Sequence, residues 1–188
     1  MRFSLVPGFS FREITDITTD FLDQLGIKFL MLDLDNTIAA YDEHIPSQSV
    51  SQWVAEIRKS GVELYIVSNS LREKRVRAFE ETLKIGVVMN AHKPSPRGVL
   101  HAMTSAGFSA QDSALIGDQI FTDTIAANRA GVISIIVKPI KFTNPFIAIR
   151  YACETPIRAI CTNKCCNKRE QANRRGKKNN FKIGAKYE

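Results

Sequence analysis

Cysteine is absent from the first 152 residues of this 188-residue chain. A body without thiols cannot rest on a disulfide framework, and such usage suits a reducing cytoplasm. No run of eighteen apolar residues occurs, so no membrane-spanning helix is expected. Arg2 and a short apolar patch open the chain, but Pro7, Arg12 and Glu13 break the patch too early for a secretory signal. Glycine-rich G-x-G-x-x-G and Walker loops are missing, which excludes the usual dinucleotide and P-loop nucleotide sites. An EF-hand is excluded too, because Asp33, Asp35 and Thr37 are followed by neither a turn glycine nor a closing glutamate.

What charge there is lies unevenly. The chain carries a net +7, and residues 164–188 alone hold nine Lys/Arg against two Glu; the rest is balanced. That tail has too few apolar residues to offset its ordering entropy, so residues 164–188 are expected to be a disordered basic tail. All four cysteines, Cys153, Cys161, Cys165 and Cys166, sit near the end, without the second spaced pair or nearby His that a structural zinc site needs. The length allows one domain with its own core plus appendages.

Past an amphipathic stretch over 13–25 (Ile14, Ile17, Phe21, Leu25, stopped by Gly26), short apolar runs recur. Residues 28–33, 62–67, 85–89, 113–117 and 132–137 are rich in Ile, Val, Leu or Phe with little alternation, as strands covered on both faces should be. Helical spacing lies between them. Val50, Trp53, Val54 and Ile57 mark one helix, Val76, Phe79 and Leu83 a second, 97–106 a third and 122–130 a fourth. Strands alternating with helices predict an α/β fold, a parallel sheet wrapped by helices, whose ligands bind beyond the carboxyl ends of the strands.

The loops at those ends read "DLDNT", "SNS", "AHKP" and "GDQIFTD". Acid, hydroxyl, lysine and acid suit a phosphoryl group held by a divalent metal beside a carboxylate nucleophile. Asp33 is the candidate nucleophile, and Asp35 the acid and base for leaving group and water. Thr37, Ser68 and Asn69 are candidate substrate-binding residues, and Lys93 would neutralise the transferring oxygens and Asp33. Asp33, Asp35 and Asp118 are the candidate ligands of a hard cation, Mg2+. Asp123 would fix Lys93 or a metal-bound water, or favour the start of its helix. Read singly, each has an ordinary explanation: a turn, a cap, a solvated lysine. His44 and His92 flank the site, His101 and Arg129 read as surface or structural, and Arg72 as a helix-start residue with an option on an anionic substrate.

In this order the four motifs resemble the haloacid dehalogenase (HAD) phosphatases. "GIKFLMLDLDNT", "SNSLREKRV", "GDQIFTDTIAANRAG" and "IIVKPI" further resemble the YqeG-like subgroup of HAD subclass IIIA, akin to mitochondrial phosphatidylglycerophosphate phosphatases; Ser70-Leu71 departs from the subgroup's pattern. The resemblance covers roughly residues 4–143. It implies a three-layer αβα sandwich and an aspartyl-phosphate mechanism.

Thr37 to Ser68 spans 31 positions and Ser68 to Lys93 spans 25. Each interval holds one helix and one strand, leaving no room for a cap domain. An uncapped site favours a bulky substrate such as a lipid headgroup, a protein or a nucleic-acid end. The expected organisation is a phosphatase core over 1–143, an amphipathic helical segment over 144–163 and the tail. In that segment Asn144-Pro145 and Thr155-Pro156 both read as helix starts. Phe146, Ile147, Ile149 and Tyr151 with Arg150 and Arg158 suit an anionic membrane surface, while a terminal helix packed on the sheet is the alternative. Three functions fit the sequence: a phosphatidylglycerophosphate phosphatase peripheral to the membrane, a phosphatase of another bulky or soluble phosphate, and an RNA- or ribosome-associated factor using the tail and a vestigial site.

Overall fold

The computed structural model of the protein describes residues 4–142 and 145–161. Six parallel strands form one sheet: β1 (Phe9–Ser10), β2 (Phe29–Leu32), β3 (Glu63–Val67), β4 (Gly86–Val88), β5 (Ser113–Gly117) and β6 (Ile133–Ile136), in the order β1-β6-β5-β2-β3-β4. The helices are α1 (Thr19–Gln24), α2 (Gln48–Lys59), α3 (Glu73–Leu83), α4 (Arg97–Ala106), α5 (Ile125–Ala130) and α6, residues 145–161. Among the described residues no domain is inserted between the strands.

Strand β2 lies at the centre, paired with β3 on one side and β5 on the other, and all four of its residues are buried. Successive side chains point to opposite faces. Leu30 and Leu32 pack with Trp53, Ile57 and Phe79 in one cluster, whereas Phe29 and Met31 meet Val99, Met103 and Ala126 in another. A strand covered twice has no polar face, which is why these runs do not alternate. The crossovers begin and end where local chemistry dictates. Ser47 caps α2 by accepting from Val50 N at 3.3 Å, and Gly107 closes α4 at φ 75°.

Three details differ from the sequence expectations. The 13–25 stretch is broken in two, a 3-10 turn at Ile14–Asp16 and then α1, because Ile17 turns extended after the first and Thr18 caps the second by accepting from Phe21 N. Strand β1 has only two residues after Pro7-Gly8, too short to read as a strand, yet it extends the sheet along β6. Pro156 does not start a helix: α6 runs through it. Nor do both arginines of that segment face outward. Arg158 is buried, Arg150 is half-buried, and Ile147 is buried, while Phe146 and Ile149 remain exposed. The packed alternative is the one adopted. The tail, with Cys165 and Cys166, lies outside the described residues.

Gly117 ends β5 where the chain turns back on itself. A Cβ there would lie 2.2 Å from Asp123 Cγ, so only glycine lets that carboxylate fold over the strand end. Gly117→Ala is expected to displace Asp123, costing about 1–3 kcal/mol as overpacking of a filled site does. A thermal melt should fall by several degrees and turnover by at least about tenfold, with the expected rank reversed if the glycine only relaxes the strand.

Candidate active site

Four loops converge beyond the carboxyl ends of β2, β3, β4 and β5. From β2 come Asp33, Asp35, Asn36 and Thr37. Asn36 takes φ 62°, a left-handed conformation that asparagine tolerates, and its amide ties Lys141 across the loop, donating to Lys141 O at 3.0 Å. Thr37 Oγ1 donates to Asp33 Oδ2 at 3.1 Å. From β3 comes Ser68, fully buried, whose Oγ accepts from Ser70 N at 3.0 Å. Asn69 clasps the backbone of Lys93 both ways, donating to its carbonyl and accepting from its amide, each at 2.8 Å. His92, one residue earlier, also has positive φ, so the clasp holds a loop that would not adopt this shape by itself.

Lys93 is the centre of the charges. Its Nζ lies 2.6 Å from Asp33 Oδ1 and 2.7 Å from Asp123 Oδ1, and its side chain is 2% exposed. Asp123 rides on a π turn at Ile120–Thr124, which begins the predicted 122–130 helix before α5 continues it. Its Oδ2 accepts from Gln119 N at 3.1 Å. Such turns recur at functional sites because the extra residue re-aims a side chain. Asp118, fully buried at the end of β5, pairs through Oδ2 with Arg150 Nη2 at 3.0 Å.

Asp33, Asp118 and Asp123 bring carboxylate oxygens within 4.8 Å of one another. Asp35 stands apart from them: Arg75 Nη1 holds its Oδ1 at 2.7 Å, and Arg72 Nη2 is 3.5 Å away. Thus Asp123, and not Asp35, is the third side chain of the cluster. His44, His92 and His101 are exposed, and Arg129 is exposed with a contact to Pro94 O at 3.4 Å.

Arg75 escaped the sequence reading. It is 3% exposed and also donates to Glu43 O and Ala40 O, so one guanidinium fixes Asp35 and the loop carrying it. A signal existed: Arg75 lies one turn before Phe79 on the buried stripe of α3, where a solvated arginine does not belong. Arg150, Glu154 and Arg158 were equally missed as site residues, although their four-residue spacing puts them on one helix face.

Burial pushes Asp33 up to about 7, against the pull of Lys93 and with Asp123 reinforcing it. Burial likewise raises Asp118 well above the usual carboxylate range, helped by Asp33 and Asp123. Burial works against the Lys93 ammonium, but Asp123 and Asp33 outweigh it and its pKa rises. Asp118 Oδ1 is buried with no hydrogen-bond partner among the described residues. Three converging carboxylates, one with an orphaned oxygen, are the donor set a hard divalent cation takes.

An α/β sheet with a buried acid, lysine and acid at its carboxyl end, and no cap among the described residues, is the arrangement of a HAD-superfamily phosphatase, a phosphoric monoester hydrolase. The comparisons agree. A family profile described as mitochondrial PGP phosphatase matches residues 2–140. The probable phosphatase YqeG of Bacillus subtilis (strain 168) is 32% identical over 142 residues, 76% of this chain and 82% of that protein. The fold resembles the cobalt-bound deoxy-D-mannose-octulosonate 8-phosphate phosphatase of Haemophilus influenzae (TM-score 0.51, 17% identity, 67% of this chain and 75% of that one). It also resembles a putative 3-deoxy-D-manno-octulosonate 8-phosphate phosphatase of Vibrio cholerae (TM-score 0.51, 15% identity, 69% and 75%). The chain belongs to the mitochondrial PGP phosphatase family.

The raised Asp33 pKa has a definite sign. A carboxyl that holds its proton more tightly folded than unfolded contributes stability below about pH 4, and that contribution is lost as pH rises through about 7. The metal-free protein should therefore melt lower at pH 8 than at pH 5.5 on account of this group. A divalent cation at a hundredfold excess over its Kd should raise the melt by roughly 5–10 °C at pH 8. The rise should be smaller at pH 5.5, where the cation must displace protons. Differential scanning calorimetry with and without chelator checks this; an equal rise at both pH values would contradict it.

Proposed function

We propose that the protein is a Mg2+-dependent phosphomonoesterase that works through an aspartyl phosphate on Asp33 and takes phosphatidylglycerophosphate as its substrate. The observation that carries the chemistry is the buried Asp33–Lys93–Asp123 chain beside Asp118. Asp33, Asp118 and Asp123 would hold Mg2+, which when bound offsets the charge of the carboxylates and of the phosphate.

Asp33 attacks phosphorus as Lys93 offsets the negative charge between them and Thr37 holds Oδ2. The phosphorus–oxygen ester bond breaks, and its electron pair leaves with the alcohol oxygen, which takes a proton from Asp35. Water then attacks phosphorus and gives its proton to the Asp35 carboxylate. Inorganic phosphate departs and Asp33 is restored as a carboxylate. Arg75 keeps Asp35 oriented through both steps. Ser68, with its hydroxyl at the end of β3, is the residue assigned to a phosphoryl oxygen. Asn69 serves through Lys93, whose backbone it holds, in addition to any substrate contact.

The lipid substrate is supported by the family match and by the surface around the mouth. Ile45, Leu71, Phe121, Ile140, Phe142 and Phe146 are large, exposed and all on segments that leave the carboxyl end of the sheet. Exposed apolar residues on these segments suit an acyl-chain-bearing substrate presented at a bilayer, with the exposed Lys138 for its anionic headgroups, while Lys141 is held by Asp42 at 3.2 Å. Among the described residues no helix is long and apolar enough to cross a membrane, so contact would be peripheral. A soluble bulky phosphate is the alternative substrate. RNA contact rests on the charge of the basic tail alone, and the tail lies outside the described residues.

Asp33→Asn should abolish turnover, since an amide is not a nucleophile here, and Asp35→Asn should slow it by roughly two to four orders of magnitude. Phosphate release from an aryl phosphate measures both; near-native rates in Asp33→Asn would remove the assignment.

Ile45→Ser and Leu71→Ser, at side chains 68% and 80% exposed, test the substrate. They should lower hydrolysis of phosphatidylglycerophosphate in anionic vesicles several-fold and leave the aryl phosphate rate alone. Equal rates on vesicles would favour the soluble-substrate alternative.

A further inference from the structure

Helix α6, residues 145–161, lies beyond the stretch that the family profile matches. Positions 150, 154 and 158 share one of its faces, and that face meets the active site. Glu154 is fully buried and accepts from Ile120 N at 2.8 Å and Phe121 N at 3.4 Å, at the head of the π turn that carries Asp123. Arg158 donates to the Asp118 carbonyl, to Val137 O at 3.0 Å and to Glu154 Oε2 at 2.8 Å. The helix thereby clasps the ends of β5 and β6. Arg150, one turn nearer its start, differs. Its side chain is 23% exposed against 9% for Arg158, and its one side-chain partner among the described hydrogen bonds is Asp118 Oδ2, 3.0 Å from Nη2.

We propose that Arg150 is a substrate-binding residue that holds Asp118 while no cation is bound, and then moves to the phosphomonoester dianion entering the mouth. A guanidinium cannot yield its place by losing a proton. A divalent cation among Asp33, Asp118 and Asp123 adds two positive charges beside it, and repulsion in a buried site is strong. Arg150 has an exposed side toward which to move, unlike Arg158, which three acceptors fix. Its planar fork suits two phosphate oxygens. Lys93 cannot take that second role alone, because Asp33 and Asp123 hold it at 2.6 and 2.7 Å. The fold thus stores a phosphate-binding cation on a metal ligand.

This rests on the metal-dependent phosphatase reading, so the test has one arm that needs no turnover. Mg2+ is titrated calorimetrically into the full chain as wild type, Arg150→Gln and Arg150→Lys, without substrate. KM and kcat for an aryl phosphate are then measured at saturating Mg2+. Arg150→Gln should bind Mg2+ about tenfold tighter, about 1.4 kcal/mol, because the competing charge is gone. Its KM should rise about tenfold, with kcat changed less. Arg150→Lys keeps the charge and should keep near-native Mg2+ affinity. A residue that merely braced Asp118 would lose Mg2+ affinity on becoming Gln. That result overturns the proposal, as does an unchanged Mg2+ affinity or an unchanged KM. A wild type that binds Mg2+ but hydrolyses nothing would instead sink the phosphatase reading, and the Mg2+ arm would still decide whether Arg150 competes with the cation.

Discussion

Lys93 is shared by two carboxylates, Asp33 and Asp123, in a place where none of the three reaches water freely. Removing one partner of such a buried pair typically costs about 3–5 kcal/mol, because a charge is left without compensation. The surrounding architecture can be derived from that requirement. Asn69 holds the Lys93 backbone so that the ammonium cannot drift. Gly117 leaves the space that Asp123 fills, and the π turn aims it there. Glu154 and Arg158 then fix the turn and the strand end from outside. Even so, the acids outnumber Lys93, and Asp118 keeps an oxygen with no partner among the described residues. Arg150 offsets part of this excess of negative charge, and the carboxylate cluster is compatible with a divalent cation.

Much of this was legible in the sequence. The short apolar runs of β2, β3, β4 and β5 are bounded by turn chemistry, and the loops after them carry Asp33, Ser68, Lys93 and Asp118 in chain order, so their convergence at one end of the sheet was legible from the sequence. The helix over 97–106 was read to its ends because Pro96 and Gly107 punctuate it. Legibility failed where tertiary pairing decided the outcome. Two residues of β1 become a strand only because β6 offers an open edge. Whether Asp35 or Asp123 joins the carboxylate cluster depends on Arg75, forty positions away, and no local pattern reports that pairing. For Arg150 and Arg158 the sequence left both a membrane surface and a packed terminal helix open, because periodicity gives a face, not what the face meets.

The open mouth follows from the short crossovers. A helix and a strand between successive motifs leave no inserted domain over the site among the described residues. Helix α6 adds to this site, which the sheet otherwise builds, a guanidinium at Asp118.

The central claim is that Asp33 becomes covalently phosphorylated. Rapid quenching of the enzyme during turnover, reduction with borohydride and peptide mass analysis test it most directly. Borohydride converts an aspartyl phosphate to homoserine, so the account predicts homoserine at position 33 and nowhere else. Full turnover with an unmodified Asp33, or reduction at Asp118 or Asp123 instead, would contradict it.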